Sequence, residues 1–223
     1  MEKENNLLKY DEKYYLQLVK QNPWALQHIK NPTKEIYLET VKQDGEALQY
    51  INNQTEEICL IAVKQTPWAL QYVKHQTKKI CLAAVKQNNG WALLYVKNPT
   101  EEICLAAVKQ NGMILKYIEN QTEKIRLAAV KQTPWALQYI KNPTEEICLE
   151  AIKQNGLALK YIHNQTKKIC LAAIKRNPWA LQYIKNLTEE MCLEALNQDI
   201  DIIEHIDIKK FPKVYEKYLF MIK

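Results

Sequence analysis

The stretch Thr55-Glu-Glu-Ile-Cys-Leu-Ile-Ala-Val-Lys-Gln-Thr-Pro-Trp-Ala-Leu-Gln-Tyr-Val-Lys-His75-Gln76 decides the fold, because the chain repeats it along most of its length. The copies lie 22 residues apart, except for one step of 23 where Asn88-Asn89-Gly90 contains an extra residue. Self-similarity at a fixed short period is the sequence signature of stacked structural repeats. We number positions in each copy from its first residue, position 0, leaving out the extra residue. The copies begin at Asp11, Thr33, Thr55, Thr77, Thr100, Thr122, Thr144, Thr166 and, in part, Thr188.

Each copy predicts two short helices joined by a tight turn. The Thr at position 0 is an N-cap, because its side-chain oxygen can accept a hydrogen bond from a free amide of the first turn. Apolar residues follow at positions 3, 5 and 8, as in Ile58, Leu60 and Val63, which is a helical spacing. An Asn-Pro, Thr-Pro, Asn-Gly or Asp-Gly pair then breaks the helix. A second helix such as Trp-Ala-Leu-Gln-Tyr-Ile-Lys leads to an Asn suited to a left-handed helix end. We expect roughly ten and roughly eight residues in the two helices.

The repeats predict an all-α protein, an α-solenoid of about eight to nine short two-helix repeats of 22 residues with a C-terminal capping helix. Helices this short are marginal in isolation, so we expect stacking between repeats to stabilise them. The pattern weakens after Asn197, and the segment from Phe211 to Lys223 has an amphipathic helical pattern that can close the stack. The predicted segments are an N-terminal cap or frayed segment at 1–10, the repeat solenoid at 11–198 and a C-terminal capping segment at 199–223.

Composition and charge restrict the partner and the compartment. The net charge of +6 permits an anionic partner without requiring one. Arg126 and Arg176 are the only arginines, which disfavours a dedicated reader of bases or phosphates, since such proteins use the arginine fork. The N-terminal sequence has no apolar signal core, and no apolar run approaches the ~20 residues that span a bilayer. We therefore expect a cytoplasmic protein that is neither secreted nor bound to a membrane.

The most regular part of the repeat resembles a known family. Its phrases are Ile-Cys-Leu-Ala-Ala-Val-Lys-Gln-Asn-Gly at residues 103–112, Ala-Leu-Lys-Tyr-Ile at 158–162 and Asn-Gln-Thr at 164–166. They resemble a 22-residue helical-repeat family, a domain of unknown function, that occurs in giant DNA viruses of amoebae and in amoeba-associated bacteria. The resemblance covers about Asp11 to Gln198. It implies a viral helical-repeat protein that acts in the cytoplasm of an infected host cell, and it assigns no activity and no functional residues.

The residues that commonly carry chemistry form no convergent cluster. Six cysteines all occupy position 4, and equivalent positions in adjacent repeats lie farther apart than the ~7 Å between Cα atoms that a disulfide allows. No Cys-x-x-Cys pair is present for zinc, so we expect buried, reduced thiols. The four histidines fall at different positions, and the chain has no serine. We therefore predict a protein that is not an enzyme, with no catalytic residue, no cofactor and no metal ligand.

Lysine occupies position 9 in eight successive copies, where each hairpin turns. These lysines are the candidate partner-binding residues. Two interpretations stay open: a lysine at a helix C-terminus complements the helix dipole and keeps an exposed edge soluble, or the row binds an anionic partner. The opposite edge mixes glutamates with lysines and should be closer to neutral. The eight residues are Lys20, Lys42, Lys64, Lys86, Lys109, Lys131, Lys153 and Lys175.

Two aromatic columns mark the second helix of the repeats. Tryptophan is most common at position 13, where Glu46, Met113 and Leu157 replace it, and tyrosine is most common at position 17. We expect these rings to pack between repeats. Stacking on bases or peptide groups is the alternative.

The function predicted from the sequence is a non-enzymatic repeat scaffold for protein–protein interaction, by analogy with other repeat solenoids. The partner is not identified. The alternatives are an electrostatic binder of nucleic acid or another anionic partner along the lysines, and a structural component that assembles with itself as a homo-oligomer. Specificity is expected at two variable positions: position 6, which should face solvent, and position 16, which includes Gln27, Leu94, Lys116 and Gln182.

Overall fold

A computed structural model describes residues 12–223, apart from the side chain of Asn88. The predicted N-terminal segment 1–10 and the predicted cap Asp11 lie outside the described residues. Between residues 12 and 223 the regular structure is helical, with no strand, and an α-helix and a 3₁₀-helix alternate at the period of the sequence repeat. The predicted all-α repeat fold is therefore confirmed.

The first helix of each repeat is an α-helix, and from the second to the ninth of these helices the Thr at position 0 is the cap. Thr55 is typical: its Oγ1 accepts a hydrogen bond from the amide of Ile58 at 3.3 Å. The acidic Glu56 and Glu57 follow in the first turn, where the helix dipole favours negative charge. The α-helices are α1 Glu12–Gln21, α2 Lys34–Gln43, α3 Glu56–Gln65, α4 Lys78–Val85, α5 Glu101–Gln110, α6 Glu123–Gln132, α7 Glu145–Gln154, α8 Lys167–Arg176, α9 Glu189–Gln198 and α10 Pro212–Met221.

The second helix of each repeat is a 3₁₀-helix, and in all described repeats but one it has six residues, fewer than expected. In the third repeat the amide of Ala69 donates to the carbonyl of Thr66, and that of Val73 donates to Leu70, both with the i→i+3 spacing of a 3₁₀-helix. The 3₁₀-helices are η1 Pro23–His28, η2 Gly45–Tyr50, η3 Pro67–Tyr72, η4 Asn88–Tyr95, η5 Gly112–Tyr117, η6 Pro134–Tyr139, η7 Gly156–Tyr161, η8 Pro178–Tyr183 and η9 Ile200–His205.

The 3₁₀-helices end at position 17, the Tyr position, and a left-handed Asn is not what stops most of them. The residue at position 18 is extended, as in Ile51 with φ −94° and ψ 114°. Only Asn31 and Asn142, among the predicted asparagine ends, have a positive φ, at 58° and 53°. The extended backbone at position 18 directs an Ile or Val side chain towards the core. The 3₁₀-helix therefore ends before the chain reaches the asparagine at position 20.

The described chain separates into two compact units, the first ending at Gln110 and the second running from Asn111 to Lys223. In each unit consecutive α-helices lie side by side as one layer, and consecutive 3₁₀-helices form the other layer. The core lies between the layers and is built from positions 3, 7 and 8 of the α-helix and positions 14, 15 and 18 of the 3₁₀ segment. In the third repeat these residues, each at most 1% exposed, are Ile58, Ala62, Val63, Ala69, Leu70 and Val73.

The repeat pattern continues beyond Gln198 in the second unit. Asp199 caps η9, since its side chain accepts a hydrogen bond from the amide of Asp201 at 3.1 Å. The helix α10 follows, and Phe211 and Val214 at its start are buried in a cluster that also contains Leu196 of α9. The end of this unit is therefore a ninth helix pair covered by α10.

Candidate functional site

The lysines at position 9 form one row in each unit, and every member is exposed. Each lysine lies in the last turn of its α-helix, except Lys86, which is the C-cap of α4. We call these residues the lysine rows. The first unit carries Lys20, Lys42, Lys64, Lys86 and Lys109, and the second unit carries Lys131, Lys153 and Lys175.

The lysine rows are largely without acidic partners. Within residues 12–223, Lys42 is the only member of the rows with an ion pair, to Glu39 at 3.8 Å. That distance is long for a charge-assisted hydrogen bond, and exposed pairs of this kind contribute little. The rows therefore retain most of their positive charge at the surface.

The opposite ends of the α-helices carry charges that cancel between neighbouring repeats. Positions 1 and 2 are glutamates in some repeats and lysines in others, and position 1 of one repeat contacts position 2 of the following one. The pairs are Lys34 with Glu57 at 2.6 Å, Lys79 with Glu56 at 3.3 Å, Lys78 with Glu102, Lys168 with Glu145 at 2.5 Å and Lys167 with Glu190 at 2.5 Å. The charge of the molecule is therefore distributed unevenly along each α-helix.

Three of the lysines at position 19, which the sequence placed near these glutamates, donate to backbone carbonyl oxygens: Lys74, Lys97 and Lys185. The Lys74 Nζ donates to the carbonyl oxygen of Asn52 at 3.1 Å, and the Lys185 Nζ donates to that of His163 at 3.2 Å. Each bond reaches back by one repeat. These lysines therefore connect repeats, which distinguishes them from the lysine rows.

The outer face of the α-layer has a half-buried leucine at position 5 of every described repeat. Shallow grooves lie over this leucine in both units. One groove is lined by Leu16, Leu38, Lys20 and Lys42, among others, and another by Leu171, Lys175 and the two lysines that begin α8. The leucines are Leu16, Leu38, Leu60, Leu82 and Leu105 in the first unit and Leu127, Leu149, Leu171 and Leu193 in the second.

The aromatic columns pack between repeats, as predicted. The Trp of one repeat contacts the residue at position 17 of the next repeat edge to face, a favourable geometry for aromatic pairs. The ring centroids are 5.8 Å apart for Trp24 and Tyr50, 6.1 Å for Trp68 and Tyr95, 6.0 Å for Trp135 and Tyr161, and 5.2 Å for Trp179 and His205. One face of these rings is therefore occupied by the protein itself.

The two variable positions differ in exposure. Position 16 is exposed in all of the first eight repeats, and Leu94, the apolar member, is 49% exposed. Position 6, which was expected to face solvent, is half-buried in every described repeat except the first, where Gln17 is exposed. The exposed residues at position 16 are Gln27, Gln49, Gln71, Leu94, Lys116, Gln138, Lys160 and Gln182.

A glutamine at the junction between repeats has a role that the sequence did not predict. The Gln76 Nε2 donates to the carbonyl oxygens of Leu70 in its own repeat and Tyr95 in the next, at 3.1 and 2.8 Å. Its Oε1 accepts from the amide of Lys97 at 2.9 Å. Gln54 makes the same three contacts, and Gln121 and Gln165 make part of the set. The signal in the sequence is the choice of Gln in place of Pro before the Thr of the following repeat.

The six cysteines are free and buried, as predicted. The thiol of Cys81 lies 3.8 Å from the Oε1 of Gln76, so it borders the junction glutamine. Burial raises the pKa of every one of these thiols, and for Cys148 and Cys192 burial and a nearby glutamate raise the pKa to about 11. A thiol held in the neutral form is a poor nucleophile and a poor metal ligand.

Two findings bear on the predictions about metal binding and membranes. Among the residues that the structure describes, no three His, Cys, Asp or Glu side chains come together in a way that could hold a metal ion. None of the helices between residues 12 and 223 has the length and hydrophobicity needed to cross a membrane. The predicted absence of catalysis, of a metal and of a cofactor stays a prediction.

The fold defines the class of protein: a helical-repeat protein in which an α-helix and a 3₁₀-helix alternate every 22 residues. A family profile described as a domain of unknown function, DUF4116, matches seven overlapping segments, each covering about two repeats: 33–78, 55–99, 77–122, 100–143, 123–167, 144–187 and 166–211. The chain belongs to this family. The match begins one repeat later than the predicted start at Asp11 and extends past Gln198. No curated protein and no solved structure matches the chain.

Proposed function

We propose that this chain is a non-enzymatic repeat scaffold that binds a protein partner on its extended surface. The observation that carries the proposal is the exposure of position 16 in eight consecutive repeats. Positions 14, 15 and 18 lie in the core, and the aromatic columns contact their neighbours. Position 16 is Gln in five of these repeats, Lys in two and Leu in one, so its side chain can vary without disturbing the core.

The bonds between repeats support the same proposal. Junction glutamines, lysines at position 19 and the ion pairs at positions 1 and 2 all connect one repeat to the next. These polar groups are therefore engaged in holding each unit together. Within residues 12–223 these contacts leave an ordered surface that a partner can cover.

The test is site-specific photo-crosslinking in an extract of amoebal cells, the host that the sequence resemblance implies. A photoreactive residue replaces Gln71, which is exposed on the 3₁₀ layer, and in a matched control it replaces Asn53, which is exposed at the junction between repeats. We expect discrete protein adducts from position 71 that survive nuclease and weaken when Leu94 is changed to Lys. Absence of protein adducts from position 71 and from its equivalents Gln27 and Gln49 would contradict the proposal.

A second candidate function is electrostatic binding of a nucleic acid along the lysine rows. It is supported by the exposure of these lysines and by the scarcity of acidic partners for them among the described residues. Such binding falls steeply with salt and has little sequence preference. A measurement of affinity for a single-stranded oligonucleotide against salt concentration tests it, and a shallow slope counts against it.

The remaining predictions concern assembly and origin. Self-assembly predicts a particle size that rises with protein concentration, which light scattering measures. A viral protein that acts in the host cytoplasm is the expectation that comes with the sequence resemblance, and localisation of the tagged chain in infected cells tests it.

A further inference from the structure

We infer that the α-layer of the first unit binds an acidic amphipathic helix, whose apolar stripe covers the leucines at position 5 and whose carboxylates meet the lysine row. This inference rests on the proposed scaffold function and adds a second binding surface, for a partner of stated chemistry. That surface is the α-layer, on the other side of the core from the 3₁₀ layer that carries position 16.

Each α-helix of the first unit presents the same three kinds of position along one strip of its surface. In α3 the strip contains Glu57 in the first turn, Leu60 in the middle and Lys64 in the last turn. Residues three and four apart face the same way on a helix, so these side chains follow one another along the helix axis. Because α1 to α5 lie side by side, the strips align into three rows that run across the helices.

The charges of the outer rows are unequal, and this difference selects the partner's charge. The row at positions 1 and 2 is neutralised where Lys34 pairs with Glu57 and Lys79 pairs with Glu56. The lysine row has one weak pair, at Lys42, in the described part of this unit. A ligand lying across the helices therefore meets positive charge on one side only, and acidic groups on that side give complementarity.

The middle row is apolar and accessible enough to be covered. Leu60 and Leu82 are half-buried. The groove over Leu16 and Leu38 is lined by the position-9 lysines Lys20 and Lys42, and also by Lys34, Glu12, Glu35 and Glu39. The groove at Leu171 in the second unit has the same combination of a leucine and a position-9 lysine. A groove of this kind is therefore present in both units, at the leucine of position 5. We infer that it is a property of the repeat and not of one local irregularity.

The spacing of the rows favours a helical ligand. Packed helices lie about 8–10 Å apart, and a ligand helix rises about 10.5 Å over seven residues, so a residue of each heptad can reach each successive repeat. Five α-helices then span about 40 Å, which matches about four heptads. Leucine and glutamate at heptad spacing would place one apolar and one acidic side chain over each repeat.

A protein segment fits this surface better than a nucleic acid. The leucine row offers apolar area that a phosphate backbone cannot use. The aromatic rings that could stack on bases lie in the 3₁₀ layer, and they contact their neighbours, as for Trp68 and Tyr95. The cations are lysines, which lack the bidentate fork that reads phosphates.

The experiment measures fluorescence anisotropy with three labelled probes and the full chain. The first probe is a peptide of about four heptads with leucine and glutamate at heptad spacing. In the second peptide glutamine replaces every glutamate. The third probe is single-stranded DNA with the same number of negative charges. We expect the acidic peptide to bind at least about tenfold more tightly than the glutamine peptide and the DNA.

Matched variants locate the binding on the lysine row. Lys64, Lys86 and Lys109 are changed to Glu together, and in the control the position-19 lysines Lys30, Lys74 and Lys97 are changed to Glu. Both triple variants change the net charge equally. We expect about tenfold or greater loss of affinity in the first variant and less than about threefold in the control. Leu82→Gln, which changes one apolar contact, is expected to weaken binding without changing its salt dependence.

The outcomes separate this inference from the proposed scaffold function. Equal losses in the two triple variants, or equal binding of the acidic and glutamine peptides, would overturn it. Tighter binding of DNA, lost in the Lys64, Lys86 and Lys109 variant, would assign the row to a nucleic acid and also overturn it. If the peptide fails while crosslinking at position 71 still captures a protein, the scaffold function stands and the α-layer is not its binding surface. Circular dichroism and thermal unfolding establish that each variant is folded.

Discussion

The side-chain amide of Gln54 donates a hydrogen bond to the backbone carbonyl oxygen of Tyr72, 18 residues later, at 2.9 Å. The Oε1 of the same side chain accepts from the amide of Lys74 at 2.9 Å. One glutamine therefore satisfies a donor and an acceptor at the end of the following 3₁₀-helix, where regular helical bonding stops. The junction between two repeats depends on a side chain that is neither apolar nor charged.

Replacing Gln54 with Ala should destabilise the first unit by about 1–3 kcal/mol, because the carbonyl of Tyr72 and the amide of Lys74 lose their partner in a partly buried place. Urea denaturation followed by circular dichroism measures the loss. The control is Gln49→Ala, since the exposed Gln49 amide donates to Glu46 within its own repeat. We expect the control to change stability by less than about 0.5 kcal/mol. Equal losses in the two variants would exclude a special role for the junction.

The features predicted correctly from the sequence are those set by neighbouring residues or by the repeat period. The cap at Thr55 depends on a residue three positions away, and the burial of Ile58 and Val63 follows from helical spacing. The packing of the aromatic columns follows from their recurrence in successive repeats. In each case the repeat unit and its period contain the necessary information.

The features that were missed depend on contacts between copies. The 3₁₀ geometry of η3 is set by which side chains the neighbouring layer buries, and Pro67 is compatible with either helix type at its start. Thr66 precedes η3 but its side chain does not cap it, and its Oγ1 instead accepts from the amide of Gly45 in the preceding repeat at 3.2 Å. The lysine rows were identified as candidates, whereas the pairing that neutralises the opposite helix ends requires the register between repeats.

Changing Gly45 to Ala should destabilise the first unit by about 1–3 kcal/mol through overpacking. A Cβ at this position would lie 2.2 Å from the carbonyl oxygen of Ala62 in the next repeat, and backbone cannot move aside as a flexible side chain can. Removal of glycine also stiffens the unfolded chain, which would stabilise the protein by about 0.4–1 kcal/mol, so a net loss identifies the clash. The measurement is the midpoint of urea denaturation. The neighbouring variant Glu46→Ala serves as the control and should be close to the parent.

Trp68 and Tyr95 should be energetically coupled. Their rings meet edge to face with centroids 6.1 Å apart, and such pairs contribute about 0.5–1.5 kcal/mol beyond the area they bury. A double-mutant cycle with Trp68→Ala and Tyr95→Ala measures the coupling in the free energy of unfolding. The chain supplies its own control, because Glu46 occupies the Trp position one repeat earlier, ahead of Tyr72. A cycle on Glu46 and Tyr72 should give coupling near zero, and similar coupling in both cycles would contradict an aromatic origin.

The buried thiols should make stability fall as the solution becomes alkaline. Burial and a neighbouring glutamate raise the pKa of Cys148 and of Cys192 to about 11, from an ordinary value of 9.0. Between these two values the unfolded chain has lost the thiol protons while the folded chain still holds them, so the folded state binds more protons and its stability decreases with rising pH. The contribution is fully present below pH 9 and is lost by about pH 11. We therefore expect the free energy of unfolding to fall less steeply in the Cys148→Ala, Cys192→Ala variant than in the parent across this window. Lysine and tyrosine titration is common to both proteins, so the difference in slope isolates the thiols, and parallel curves would show that the two cysteines do not contribute.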